Sequence, residues 1–367
     1  MGKKTKAKKP RCKKPKILFK IFGILLHSRP KFDIIKMIYI NFGGGNTVET
    51  VAHNLSVLRQ RGASVSERRL AHISEAAKLL ASELEDGISV FENDAFISAY
   101  RELARSAFES WGDNGDTPEE NRERIVAVSA EDAVNSAIFL CSDICRLMRE
   151  RGTPLKFFDF FPQNTDPVSG ARIAYLRNPY SDTAFGIFSE VIKNPSVSLP
   201  RDFAGVCEEV YYGRCRYCIL PVETSDEGAL SGFRRLIAKY ELCPVLSCSV
   251  STANGTQTTR FSLFAKNMER ITERKKGDGF MGQEVFSFRL DAPTEASINK
   301  TVKALNMYGL RILTVNSAPV AWDEGRYSFE FSAECDGELD AMLLYLTLEI
   351  PEYTPIGLYL KVAARDR

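Results

Sequence analysis

The stretch from Arg172 to Phe264 constrains the chain most. Two short apolar runs, Ile173-Ala174-Tyr175-Leu176 and Tyr217-Cys218-Ile219-Leu220-Pro221-Val222, flank a segment of helical pattern. Apolar runs this short read as buried strands. Parallel neighbours need a crossover of about a dozen residues, so the spacing predicts a βαβ unit. Ligands of such sheets sit beyond the carboxyl ends of the strands. Glu223, Thr224 and Ser225 stand where the second run stops, which makes them candidate site residues.

Downstream, Leu242-Cys243-Pro244-Val245-Leu246-Ser247-Cys248-Ser249-Val250 leads through Ala253-Asn254-Gly255 into Thr258-Thr259-Arg260-Phe261-Ser262-Leu263-Phe264. Asn-Gly between two strand-like runs predicts a hairpin. Thr258 to Phe264 alternates in polarity, so a solvated edge strand is the plainest reading of that run.

Charge divides the chain unevenly. Residues 1–36 hold 13 Lys and Arg against one acid; removing these from the totals of 49 and 47 leaves 36 basic and 46 acidic residues, a net charge of −10. An acidic body argues against a nucleic-acid-binding core. Residues 3–16 are too polar to fold by themselves, and the apolar run over 17–26 is half of what a bilayer crossing needs. No small-x-small cleavage site follows it. Residues 1–46 are therefore expected to be a basic tail outside the fold, or upstream sequence with the true start at Met37. Membrane contact by this tail is not expected. Gly43-Gly44-Gly45 lacks the Lys-Ser/Thr of a phosphate-binding loop and reads as a hinge.

Residues 47–160 are helical in pattern. Val51, Leu55 and Leu58 recur at helical spacing, as do Leu70, Ile73, Ala77, Leu80 and Leu84, and then Phe96, Tyr100, Leu103 and Ala107. Residues 112–118 break the third helix. A fourth is expected to start near Ser129-Ala130-Glu131-Asp132, with Val134, Ile138, Cys141, Cys145 and Met148 on one face. Phe157, Phe158, Phe160 and Phe161 either line a site for an aromatic ligand or pack the helical region against the following lobe, and packing is the expected role. Residues 163–167 read as a linker.

Nine scattered cysteines, an odd number, suit a reducing cytoplasm. Cys215 and Cys218 have the spacing of a metal pair but enter a strand, where residues three apart face opposite ways. His27, His53 and His72 suggest no metal site, and no cofactor is expected.

The segment Pro221-Val222-Glu223-Thr224-Ser225-Asp226-Glu227-Gly228 resembles the "PxENSxxG" motif of prephenate dehydratases, and Thr259-Arg260-Phe261 their "TRF" signature. Residues 284–362 look like the ACT domain that closes such chains. The resemblance covers about residues 171–363 and implies a lyase that converts prephenate to phenylpyruvate, water and carbon dioxide. Here the short run between residues 242 and 264 leaves no room for the family's second lobe. Arg177-Asn178-Pro179-Tyr180-Ser181-Asp182-Thr183 stands where the family has Gly-Pro-x-Gly-Thr. A helical chorismate mutase often precedes such lobes, but Arg59, Arg61, Arg68 and Arg69 do not match its carboxylate grip.

The chemistry requires two carboxylates to be anchored and a departing hydroxyl to be protonated. Arg260 is the natural clamp, because its planar fork binds two carboxylate oxygens at once. By resemblance Thr259 is catalytic. Glu223 or Ser225 would polarise it, and Thr258, Ser225 and Thr224 would hold substrate.

The C-terminal pattern is strand (284–291), helix (294–308), two strands (310–315, 327–333) about Asp323-Glu324-Gly325, helix (339–348) and strand (356–362). That βαββαβ order is ferredoxin-like. The family's effector motifs read here as Thr294-Glu295-Ala296-Ser297 and Asn316-Ser317-Ala318-Pro319, which makes Asn316, Ser317 and Pro319 the effector-binding candidates.

The expected architecture is thus mixed α/β and α+β: tail (1–46), helical domain (47–160), a dehydratase-like lobe containing the βαβ unit (171–267) and an ACT-like domain (280–365). The expected partners are a small-molecule substrate or an amino-acid effector, and a second copy through the ACT-like domain. The alternative function is a non-catalytic regulator or scaffold.

Overall fold

The computed structural model describes residues 67–84, 90, 93–109, 119–161, 170–251, 255–271, 282–320 and 326–362, with no side chains given for 67–72, 104–109 and 119–130. The tail, the 43–45 hinge, Val51, Leu55, Leu58, Arg59, Arg61, the 112–118 breaker, the 163–167 linker, Asn254 and the 323–325 turn lie outside these residues.

Among the described residues, helices α1 (Glu67–Glu83), α2 (Asp94–Glu109) and α3 (Glu119–Glu150) come first, followed by a 3₁₀ turn at Phe157–Phe160. Ile73, Ala77, Leu80, Leu84, Phe96, Tyr100, Ile138, Cys141, Cys145 and Met148 are buried, as their spacing predicts. Helix α3 begins ten residues before the expected start at Ser129. Its sequence runs without Gly or Pro from Glu119 to Glu150, so Ser129 and Asp132 are tolerated inside it. Gly152, at φ +80°, ends the helix, with Thr153 N–H donating to the Met148 carbonyl.

The next segment carries β1 (Arg172–Ala174), α4 (Pro179–Val191), β2 (Ser196–Ser198), α5 (Phe203–Tyr211), β3 (Tyr217–Thr224), β4 (Gly228–Ala229), α6 (Ser231–Lys239), β5 (Cys243–Ser251) and β6 (Thr258–Ala265). β1 and β3 are parallel neighbours. The crossover is longer than the single helix expected. It holds two helices and a third parallel strand, β2, on the outer side of β1. That strand has three residues, two of them serine, too short and polar to stand out as an apolar run.

The C-terminal part runs β7 (Gly282–Leu290), α7 (Glu295–Met307), β8 (Arg311–Pro319), β9 (Tyr327–Glu334), α8 (Leu339–Glu349) and β10 (Tyr353–Val362). All ten strands among the described residues join one mixed sheet in the order β2-β1-β3-β6-β5-β10-β7-β9-β8, with β4 added to β3. The joint is β10 against β5, where Leu360, Lys361 and Val362 pair in parallel with Leu246, Ser247 and Cys248. Gly357 makes this approach possible, since a Cβ there would lie 2.9 Å from Pro244 Cδ and 3.2 Å from the Pro244 carbonyl oxygen.

Helix α8 explains what the first three helices do. Its residues 341–346 are all buried, so no side of the helix is polar. A helix apolar all round must be covered on both sides. β7, β9 and β10 cover one side, while α3 and the 3₁₀ turn close the other in a single cluster that includes Ile144, Phe157, Phe160, Phe286, Phe331 and Leu344. Phe157, Phe158, Phe160 and Phe161 therefore pack against the C-terminal part and not against the lobe, because the chain leaving α3 passes under α8. Tyr100 donates to Glu349 at 2.7 Å and Tyr308 to the Ile138 carbonyl at 2.8 Å, satisfying polar groups within that interface.

Candidate functional site

The site is built where β3, β6 and β5 lie side by side. A bulge between Pro221 and Glu223 shifts the β3–β6 register by one residue. Glu223 consequently faces Arg260, a place regular pairing would give to Val222. Ser249 of β5 is the cross-strand partner of Arg260 on its other side. Three strands thus present a carboxylate, a guanidinium and a hydroxyl in one row. The Glu223 Oε2 to Arg260 Nη2 distance is 2.7 Å, and the side chains are 39% and 31% exposed. The Nε of Arg260 is buried without an acceptor among the described residues. Glu223 orients the guanidinium through Nη2 and leaves Nε free to donate.

Thr259 stands apart from this row. Alternation along β6 gives it the side of Phe261, Leu263 and Val250, the face covered by α4, where it pairs with Thr224. Arg260 shares its side with Phe264, in the cluster that α5 and α6 cover. The sequence reading joined Thr259, Arg260 and Glu223; the sheet unites Arg260 with Glu223 and turns Thr259 to the opposite face.

Three other candidates hold the end of the sheet together. Ser225 N–H donates to the Thr258 carbonyl at 2.9 Å, and its hydroxyl accepts from Thr258 N–H at 3.2 Å and donates to Asp226 at 2.9 Å. Thr224 Oγ1 accepts from Glu227 N–H, and Gln257 donates to Asp226 at 3.0 Å. Thr258 Oγ1 lies 3.2 Å from Ser251 Oγ. Their hydroxyls serve the β3–β4 turn and the β5–β6 pairing.

Because β1 is parallel to β3, the residues after β1 lie at this same end. Asn178 caps α4, accepting from Tyr180 N–H and Ser181 N–H at 3.1 and 3.0 Å, with Pro179 in the first turn. The departure from the glycine-rich loop is thus a sequence suited to start a helix directly. Tyr175 donates to Asp182 at 2.9 Å; burial, then that bond, push its phenol up to about 12. Two residues outside the sequence-predicted set lie nearby, Tyr175 directly after β1 and Ser249 opposite Arg260. The signal for Ser249 was the Ser247-x-Ser249-x-Ser251 alternation.

Asn316, Ser317 and Pro319 lie on β8, the terminal strand of the sheet, and are not brought to the Arg260 row. Ser317 and Pro319 are exposed and Asn316 is half-buried. Cys215 precedes β3, so it shares a buried cluster with Cys218 despite the expected opposition of faces. Among the described residues, no group of three His, Cys, Asp or Glu could hold a metal ion, and no helix is long and apolar enough to cross a membrane.

No protein-family profile and no curated protein matches the chain. Several solved structures are similar to part of it. The prephenate dehydratase of Streptococcus mutans is 19% identical over 53% of this chain and 100% of its own, with a TM-score of 0.41. That of Arthrobacter aurescens, in complex with L-Phe, is 13% identical over 51% and 89%, at 0.38. GqqA, described as a novel type of quorum-quenching acylase, is 19% identical over 51% and 94%, also at 0.38. These are low-identity likenesses of fold over about half of this chain.

Proposed function

We propose that the chain is a prephenate dehydratase-like protein of phenylalanine biosynthesis whose lobe, residues 171–267, holds a carboxylate ligand through Arg260. One observation carries the reading. Arg260 is fixed by Glu223 at 2.7 Å and 31% exposed, and no other described residue takes up its guanidinium donors. A pre-oriented arginine of this kind suits a planar carboxylate. The test is incubation of the purified protein with prephenate, following phenylpyruvate absorbance. Turnover that disappears in Arg260→Ala is the expected result. Failure of wild-type protein both to bind and to convert prephenate overturns the reading.

A second reading is a non-catalytic regulator, favoured by the position of Thr259 on the other face from Arg260. Under it, prephenate or an aromatic amino acid binds and raises the melting temperature without turnover, and Thr259→Ala changes nothing. In both readings residues 280–365 act as a ferredoxin-like, ACT-like module that joins two copies and takes an amino-acid effector near Asn316, Ser317 and Pro319. A cytoplasmic setting suits eight described cysteines that are all unpaired.

A further inference from the structure

Strand β5 carries serines at 247, 249 and 251, which alternation places on one side of the sheet. Two of them are occupied. Ser247 donates to the Phe261 carbonyl and accepts from Ser262, each at 3.3 Å, and is buried. Ser251 is engaged with Thr258. Ser249 is exposed, its hydroxyl bonds no described residue, and its cross-strand partner is Arg260. Directly opposed side chains lie about 5 Å apart at Cβ, so Ser249 and Arg260 are neighbours on one face of the sheet.

A mid-strand serine that stabilises nothing is poorly explained by the fold, since Ser has low strand preference and a valine or threonine would pair better. We propose that Ser249 is a ligand-binding residue of the Arg260 site, its hydroxyl donating to the carboxylate that Arg260 holds. This rests on the carboxylate-binding reading of the lobe. Arg260 supplies charge and Ser249 supplies direction, while Glu223, across β6 from Ser249, fixes the guanidinium and disfavours a second negative group there. The sequence feature responsible is the middle serine of a three-serine stripe whose outer members are needed for pairing.

The test is calorimetric titration of wild type, Ser249→Ala, Ser249→Thr and Arg260→Ala with prephenate and with phenylpyruvate, each variant's melting temperature being recorded. Ser249→Ala is expected to weaken binding about 10- to 150-fold with the melting temperature unchanged, as one lost hydrogen bond to a charged group implies, and Ser249→Thr to restore it. Wild-type affinity in Ser249→Ala alongside lost binding in Arg260→Ala overturns the role of Ser249 and leaves the carboxylate reading standing. Binding to wild type by neither probe overturns both.

Discussion

At the scale of single residues, Gly357 and the Glu223–Arg260 pair lead to different expectations. A methyl at Gly357 meets the ring and carbonyl of Pro244, neither of which is a flexible chain end. Gly357→Ala should therefore destabilise by about 1–3 kcal/mol, the usual cost of overpacking, measured by urea denaturation; a change below experimental error would mean that β10 does not press on β5. The ion pair is more than a third exposed at Glu223. Glu223→Gln should cost ~1 kcal/mol or less in stability while loosening Arg260 enough to reduce ligand affinity, so the two effects separate in one variant. Neither residue's importance is plain from composition. Glu223 was legible as the end of an apolar run, and Arg260 as a forked donor in a polar strand. That they would meet was not legible, because the meeting depends on a one-residue bulge. The same register explains why Thr259, adjacent to Arg260 in sequence, belongs to the other face.

At the scale of elements, the helices were read well from periodicity and the strands less well. Ile73, Ala77 and Leu80 announce α1 by spacing alone, and Thr294 accepts from Ser297 N–H as the helix-start signal requires. β2 left no apolar trace, whereas the 112–118 breaker ends directly before α3 and marks its start better than Ser129 does. The unread clue was α8, whose Ala341-Met342-Leu343-Leu344-Tyr345-Leu346 run has no polar side. It implies a second covering layer, supplied by α3. Ile144, a fully buried residue of α3 in the cluster with α8, offers the check. Ile144→Ala should lower stability by about 2–5 kcal/mol and expose apolar surface to a fluorescent dye; a cost near zero would mean the first helices do not shield α8.

At the scale of the whole molecule, the alkaline limb of stability follows from burial. The thiols of Cys141, Cys145, Cys215, Cys218, Cys243, Cys248 and Cys335 are all raised, first by burial, to about 11 at Cys243 and about 12 at Cys248. In the unfolded chain such thiols ionise near 9, so above that pH the unfolded state binds fewer protons than the fold. Stability should be fully present below pH 9 and fall as pH rises towards 11. Melting temperatures between pH 7.5 and 10.5 would record this; a flat profile would mean that these thiols are not buried.

One topological fact reaches beyond equilibrium. β10 is made after every other described strand, yet it sits in the interior of the sheet, between β5 and β7. Throughout synthesis both flanking strands must wait with unsatisfied edges, and until that final insertion the nascent protein is two open half-sheets, each a template for mispairing. Cellular yield of this protein should then be set by how well those waiting edges are protected, and chaperone supply should limit it more than the strength of the finished fold.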